Sequence, residues 1–184
     1  MKKADLRLPV GIIHGDLNYA NIMLDDDGKG TDVWLIDFAR TRRDVIAHDF
    51  NVMFTSTIAL LFDNELWKND RPVLGAENYR SKVKKIFPYL IEDAIFGGLS
   101  DVEPDYIADD KRFILIYKIL QRIRRAAEDC GMNTESYAVT TALCCLYTFR
   151  IMLKYEHSIP AAAAMLAITS MIYNKLTERE EKKP

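Results

Sequence analysis

The pattern of apolar and polar residues divides the chain into a short N-terminal part with strand character and a long helical part. Ile22-Met23-Leu24 and Val33-Trp34-Leu35-Ile36 are short apolar runs rich in residues that favour β-strands. Between them lie Gly28 and Gly30, which can adopt the positive φ angles that a tight reversal needs. The pattern therefore predicts a β-hairpin.

From about residue 44 onward, apolar residues recur at helical spacing. The first predicted helix runs from Val45 to about Trp67, and the second, as one or two pieces interrupted near Pro88, from about Glu77 to Ile95. The third runs from Lys111 to Glu128, with Gly131 just past its end. The fourth runs from a cap at Asn133 or Thr134 to about Tyr155, and the last from Ile159-Pro160, after a capping Ser158, to about Leu176. Breaks are predicted at residues 71–75 and 97–104. We expect these helices to pack around Leu143, Leu146, Phe149, Met152 and Leu166.

The order of these elements predicts an α+β fold that is mainly α. Because 184 residues suit one domain, we expect a single unit. Its parts are a hairpin region at residues 1–43, a helical bundle at 44–177 and a frayed, charged tail at 178–184.

Composition narrows the classes of partner. Apolar residues make up 49% of the chain, charged residues 28%, and the formal net charge is −2, so no overall field attracts nucleic acid. Basic residues between Lys111 and Arg125 indicate either a solvated surface or an anion site. The N-terminus has no signal-peptide core, and the uncharged run from Ser158 to Asn174 falls short of the roughly 18–20 apolar residues of a membrane span. The three cysteines have no metal-binding spacing. From the charge, the N-terminus and the short apolar run together, we predict a cytoplasmic protein without a membrane or nucleic-acid partner.

Side chains suited to phosphoryl transfer flank the predicted hairpin. Asp16 and Asn21 precede its first strand, and Asp37 follows its second. Such chemistry needs a carboxylate to orient or deprotonate an acceptor hydroxyl, with an amide oxygen and a carboxylate to hold Mg²⁺ on nucleotide phosphates. The pattern thus sets two carboxylates and one carboxamide on two short strands or strand ends that are joined by an acidic turn.

The order His-Gly-Asp-Leu-x-x-x-Asn-Ile, a short acidic hairpin and Ile-Asp-Phe resembles the catalytic and metal-binding loops of the aminoglycoside phosphotransferase and choline kinase branch of the protein-kinase-like fold. Asp16 and Asn21 are five residues apart, and Asp37 follows Asp16 by 21. The residues from Ile36 to Phe50 also resemble the kinase-like ternary-complex-associated domain of bacterial conflict and signalling systems. The resemblance implies the C-terminal lobe of a kinase-like phosphotransferase, with the hairpin carrying both loops.

The resemblance also implies roles for five residues. Asp16 matches the aspartate that accepts or orients the proton of the acceptor hydroxyl. Asn21 and Asp37 match the ligands of Mg²⁺, and the nucleotide would be ATP or GTP. His14 matches a histidine that supports the loop, and Asp49 matches an aspartate that braces it.

The resemblance covers the C-terminal lobe alone. Thirteen residues precede His14, and the chain has no glycine-rich loop, so we expect no N-lobe and weak or no phosphotransferase activity from these 184 residues. The chain could be a C-lobe cut from a longer kinase, a short protein that pairs with a separate N-lobe or protein partner, or a degenerate lobe kept for binding. Its acceptor is undetermined. The acidic run Asp101–Asp110 is the candidate patch for a cationic acceptor such as an aminoglycoside or choline, or else an exposed loop.

Two rival functions follow from the same residues. In one, the chain is an interaction module of a bacterial signalling or conflict system, and its site chemistry is residual. In the other, it senses nucleotide and binds ATP with Mg²⁺ without turnover.

Overall fold

Two small antiparallel sheets lead into a bundle of helices. The computed structural model describes residues 6–26, 28, 30–62, 79–97, 105–107, 111–154 and 159–181. Within these ranges the chain forms four strands and five α-helices, so the fold is α+β and mainly α.

The predicted hairpin is present. Strand β2 (Ile22–Asp26) pairs with β3 (Thr31–Leu35), from Ile22 opposite Leu35 to Asp26 opposite Thr31. Gly28 lies in the turn with a φ of 77°, which a glycine adopts without steric cost. The open end of this hairpin therefore carries the residues on either side of Ile22 and Leu35.

A second strand pair was not predicted from the sequence. Strand β1 (Val10–Ile13) pairs antiparallel with β4 (Arg42–Val45), and the amide of Ile46 donates to the carbonyl of Pro9. Strand β4 consists mainly of charged residues, so a search for apolar runs does not find it. This pairing brings the residues that follow β1 beside the start of the first helix.

Five helices form the bundle, and most of their predicted bounds agree with the structure. They are α1 (Ala47–Leu61), α2 (Tyr79–Phe96), α3 (Lys111–Asp129), α4 (Thr134–Lys154) and α5 (Ile159–Glu181). Helix α1 packs on α3 and α4, while α4 and α5 lie along each other. The buried cluster draws on all five helices and includes Phe54, Leu90, Leu120, Tyr137 and Ile168.

Pro88 does not interrupt α2, contrary to the prediction. The proline removes one backbone donor from the helix, but the buried side chains of Ile86, Leu90 and Ile91 hold both halves against the core. Gly97 follows the end of the helix, and its amide donates to the carbonyls of Glu92 and Asp93.

The predicted helix signals around α3 and α4 are confirmed. Gly131 has a φ of 89° just past the end of α3. The side-chain oxygen of Asn133 accepts a hydrogen bond of 2.8 Å from the amide of Ser136, so Asn133 caps α4. Helix α5 continues to Glu181, and residues 178–181, predicted as part of a frayed tail, are helical.

The predicted core is wrong for three of its five residues. Leu143, Leu146 and Leu166 are 62%, 42% and 48% exposed, while Phe149 and Met152 pack against the core. The inward positions of α4 and α5 are taken instead by Tyr137, Ala138, Cys145, Met165, Ile168 and Ile172. Both helices are apolar on several faces, so spacing alone does not identify the inner one.

Arg124 fits neither of the alternatives predicted for the basic residues of α3, a solvated surface or an anion site. Its side chain is buried, donates to the carbonyl of Gly97 and pairs with Glu128 at 3.1 Å. It therefore joins the end of α2 to α3 rather than binding an external anion.

Two helices are long and apolar enough to cross a membrane by length and composition alone, namely Thr134–Lys154 and Ile159–Arg179. The second of these helices contains most of the uncharged run from Ser158 to Asn174, which was predicted from the sequence to be too short for a membrane span. This is weak evidence, because core helices of soluble proteins pass the same test, and the two helices pack on each other. Cytoplasmic localisation stays a prediction.

Some predictions concern residues outside the described ranges. They include the break at residues 71–75, the loop after Gly97, most of the acidic run Asp101–Asp110 and the capping Ser158. Within that run, residues 105–107 form a short 3-10 turn with Asp105 exposed.

Candidate functional site

The loop that follows β1 is held by the carboxylate of Asp49 from α1. One oxygen of Asp49 accepts a hydrogen bond of 2.6 Å from the amide of His14, and the other accepts one of 2.9 Å from the amide of Gly15. Two consecutive amides on one carboxylate fix both the position and the direction of the backbone that leads into Asp16. Asp49 thus lies where the sequence predicts a brace.

The side chain of His14 joins the same loop to the hairpin. Its Nε2 lies 2.8 Å from the carbonyl oxygen of Ile36, which can only accept, so Nε2 carries the proton. The ring is buried and packs against Phe38 at 5.0 Å between centroids. His14 therefore supports the segment that presents Asp37, and its ring faces the protein rather than solvent.

Gly15 is required by its conformation. Its φ is 84°, and a Cβ atom there would collide with the carbonyl oxygen of Arg40. The carbonyl of Gly15 lies 3.1 Å from Nε2 of His48, a second link to α1. Only a glycine allows the loop to pass this close to the segment after Asp37.

Asp16 lies at the tip of this loop with its side chain about one third exposed (34%). The side-chain nitrogen of Asn18 donates to Oδ1 of Asp16 at 3.1 Å, and the guanidinium of Arg40 lies 3.8 Å from Oδ2. The carboxylate is thus oriented from one side and still open to solvent. That is the arrangement a proton acceptor for an incoming hydroxyl needs.

Asn21 is buried behind Asp16. Its Nδ2 donates a hydrogen bond of 2.8 Å to the backbone carbonyl of Asp16. Because the nitrogen is committed in this way, the amide oxygen Oδ1 is the atom available to a cation.

Asp37 lies across the hairpin from Asn21. The amide of Ile36 donates to the carbonyl of Asn21 at 3.0 Å, so Asn21 and Asp37 both leave the open end of the β2–β3 ladder. Asp37 has a φ of 60° and a ψ of 60°, the one left-handed non-glycine residue within the described ranges, and its side chain is exposed. Left-handed backbone in a non-glycine residue is uncommon and concentrates at functional sites.

The donor set suits a hard divalent cation. An amide oxygen and a carboxylate are oxygen ligands of the kind Mg²⁺ takes, and Mg²⁺ is usually held by one or two protein groups together with phosphate oxygens and water. Across the described part of the chain, no group of three or more His, Cys, Asp or Glu side chains could hold a metal ion. The residues therefore fit a magnesium ion that arrives with phosphates, and they do not form a complete protein cage.

Hydrogen bonds beside the site hold two side chains, Tyr19 and Asp44, whose pKa values are shifted. The hydroxyl of Tyr19 lies 2.7 Å from that of Thr57 on α1, and burial raises the pKa of Tyr19. At the edge of the site, a hydrogen bond from the Val45 amide and then the Arg42 side chain hold the pKa of Asp44 below its usual value.

A cleft of about 670 Å³ opens beside Asp16. It is lined by residues of α1 and α4, together with Gly15, Asp16, Arg40, Arg42 and Asp44. Ligand clefts commonly have this size.

Sequence reasoning found five residues of this region and missed four. Hydrogen bonds join His14 to Asp49 and Asn21 to Asp16, and Asp37 follows Ile36, whose backbone bonds to both His14 and Asn21. The catalytic and metal-binding roles of these residues stay predictions. Gly15, Asn18, Arg40 and His48 went unassigned, although each lies within three residues of an assigned one. An Asn two residues after an Asp, in a loop, is the sequence signal that could have identified Asn18.

The family of the chain follows from a family model. The model described as ternary complex associated domain 9 matches residues 2–151, well over half of the chain. The chain belongs to this family. The family match spans the site, both sheets and α1 to α3, and it ends within α4. Comparison with curated proteins and comparison with solved structures give no significant match.

Proposed function

We propose that this chain carries the catalytic loops of a Mg²⁺-dependent phosphotransferase, which moves the γ-phosphate of ATP or GTP to a hydroxyl of a small molecule. The observation that supports it most is the hydrogen bond from Asn21 to the carbonyl of Asp16, with Asp37 across the hairpin end. This hydrogen bond links the loop that carries the solvent-accessible carboxylate of Asp16 to the hairpin end that carries the two proposed metal ligands.

Asp16 acts as the proton acceptor. The acceptor oxygen bonds to the γ-phosphorus, the bond from that phosphorus to the β–γ bridging oxygen breaks, ADP or GDP leaves, and the hydroxyl proton passes to Asp16. Such transfer asks for positioning more than for strong basicity, because the transition state is loose. The clamp of Asp49 on two backbone amides supplies that positioning.

Asn21 Oδ1 and the Asp37 carboxylate would hold the metal. A Mg²⁺ ion held there would neutralise the charge that develops on the transferred phosphoryl group. Asp37, with its left-handed backbone, follows β3 at the hairpin end, where an ion shared with Asn21 would lie.

The architecture proposed for this function is that of a kinase-like C-lobe. The hairpin between Asn21 and Asp37, followed by a helical bundle, is the order expected from the resemblance to aminoglycoside phosphotransferases and choline kinases. The family description names only association with a ternary complex, so membership in the family does not by itself imply an enzymatic activity.

The test is formation of ADP from Mg²⁺–ATP, with a low-molecular-weight cell extract as the source of acceptors. Asp16→Asn should lower turnover by about 10²–10⁴-fold, because it removes the proton acceptor and keeps the shape. Asp25→Asn, an exposed carboxylate on the same hairpin, is the matched control and should leave turnover unchanged. Measurable turnover that is equal in wild type and Asp16→Asn would contradict the proposal.

A second candidate is an interaction module. The side chains of Met23, Leu24, Val33 and Trp34 are all more than half exposed. Met23 pairs with Trp34 and Leu24 with Val33, so apolar residues face solvent on both sides of one hairpin. Exposed apolar patches mark interaction sites.

The two candidates predict opposite results for one pair of variants. A docking role predicts that Trp34→Asp abolishes the function of the complete protein and that Asp16→Ala leaves it intact. The phosphotransferase role predicts the reverse for Asp16→Ala. ATP binding without turnover would instead indicate a nucleotide sensor.

A further inference from the structure

The cleft beside Asp16 offers a place for the body of an acceptor molecule. Residues of α1 and α4 line it, among them Val52, Leu143 and Ile151, and Asp16 is part of the same lining. A molecule in this cleft can bring one end to the carboxylate of Asp16 while its remainder lies between the two helices.

Three of the polar side chains along the walls have partners inside the protein. The side-chain oxygen of Asn51 accepts a hydrogen bond of 2.9 Å from Thr141. The hydroxyls of Thr55 and Thr140 donate to backbone carbonyls of their own helices, at 3.1 and 2.8 Å. With these groups engaged and aliphatic side chains beside them, the lining of the cleft is largely apolar.

The four charged side chains of Asp and Arg that line the cleft compensate one another. Arg42 pairs with Asp44 at 2.8 Å, and Arg40 lies 3.8 Å from Asp16. Two cations and two anions leave no net charge to attract a charged body, and transfer of an unpaired charge onto apolar walls is costly.

We propose that the cleft between α1 and α4 is the acceptor site and that it selects an uncharged alcohol with an apolar body, whose hydroxyl meets Asp16. This inference rests on the proposed phosphotransferase function for the role of Asp16, but the binding that it predicts needs neither nucleotide nor metal. It sets the cleft apart from a site for polycationic acceptors, which would need unpaired carboxylates along its walls.

The test compares two probes of one shape in the full 184-residue chain. 2-(4-Methylphenyl)ethanol is uncharged, and 2-[4-(aminomethyl)phenyl]ethanol carries an ammonium group at the far end from its hydroxyl. Methyl-labelled NMR spectra follow Val52, Leu143 and Ile151 in the cleft, with Ile168 and Ile172 of the buried core as internal controls. The uncharged probe should shift the cleft methyls alone, and the ammonium probe should bind about tenfold more weakly or worse.

Two cleft-filling variants and one control locate the binding. Val52→Trp on α1 and Thr148→Trp on α4 fill the cleft from opposite walls, so one of them serves if the other fails to fold. Each should weaken binding of the uncharged probe at least tenfold. Leu60→Trp is the control, since Leu60 lies on α1 outside the cleft and is 46% exposed.

Three results would overturn the inference. They are no shift of the cleft methyls by the uncharged probe, equal or tighter binding of the ammonium probe, and unchanged affinity in a folded cleft-filling variant. Because the titration contains no ATP or Mg²⁺, its failure leaves the phosphotransferase proposal standing. Failure of Mg²⁺–ATP binding alone would leave the cleft as an alcohol-binding site.

Discussion

The side-chain nitrogen of Asn21 donates a hydrogen bond of 2.8 Å to the backbone carbonyl of Asp16. The bond joins the proposed metal ligand to the proposed proton acceptor across five residues of loop. Because Asn21 is 8% exposed, water cannot readily replace the bond if it is lost.

Asn21→Ala should lower the free energy of unfolding by about 1 kcal/mol, since the carbonyl of Asp16 loses its shorter hydrogen bond and keeps the one of 3.2 Å from Asn18. Urea denaturation measures the change. Asn174→Ala, at an exposed position on α5, is the control and should stay within about 0.5 kcal/mol of wild type. An Asn21→Ala variant as stable as wild type would show that this bond does not hold the loop.

Asp49→Ala should cost about 2–3 kcal/mol, because two backbone amides lose a charged acceptor at once. Asp49→Asn keeps one acceptor oxygen and should cost about half as much. The comparison uses the same denaturation assay, with Asp32→Ala on the exposed face of β3 as the reference. Equal stabilities of the Ala and Asn variants would argue against the clamp.

Gly15→Ala and Gly28→Ala separate strain from collision. Both glycines have a positive φ, of 84° and 77°, but an added Cβ at Gly28 meets nothing within 4 Å, whereas at Gly15 it meets the carbonyl oxygen of Arg40. Gly28→Ala should therefore cost about 1–2 kcal/mol from the left-handed backbone alone. Gly15→Ala should cost clearly more, and a similar cost at both positions would show that the loop can move away from Arg40.

The parts of the site that depend on local spacing could be predicted from the sequence. A hairpin between Asn21 and Asp37 places both at its open end, whatever the rest of the chain does. The contact of Asp49 with His14 spans 35 residues and came from the family resemblance, not from local pattern.

Other features depend on packing that the pattern does not encode. Strand β4 begins Arg42-Arg43-Asp44, which lacks an apolar alternation, so its pairing with β1 was missed. Leu143 and Leu166 lie outside the buried core although their helices are apolar on several sides, because the tertiary arrangement alone selects the inner face.

Alkaline pH should destabilise the fold, and Tyr137 should contribute. Burial raises the pKa of Tyr137 well above its ordinary value, so the folded state keeps a proton that the unfolded chain loses above about pH 10. The stabilisation is complete below about pH 10 and is lost as the pH rises towards the folded-state pKa. Urea titrations between pH 7 and 11 measure this loss.

Tyr137→Phe keeps the ring and removes the titrating hydroxyl, so the loss above pH 10 should become smaller by about 1.4 kcal/mol per pH unit. Tyr173→Phe is the matched control, because Tyr173 is 69% exposed. If both variants lose stability as steeply as wild type, another group governs the alkaline transition.

We propose that Asn21 and Asp37 hold Mg²⁺ on a nucleotide beside Asp16. Calorimetric titration of the chain with ATP, with and without Mg²⁺, measures this binding. Asp37→Asn is the variant, and Asp32→Asn, an exposed carboxylate towards the other end of strand β3, is its control. We expect Mg²⁺-dependent binding that Asp37→Asn loses and Asp32→Asn retains. No binding at millimolar ATP, or binding that is independent of Mg²⁺ and unchanged in Asp37→Asn, would disprove the proposed magnesium site.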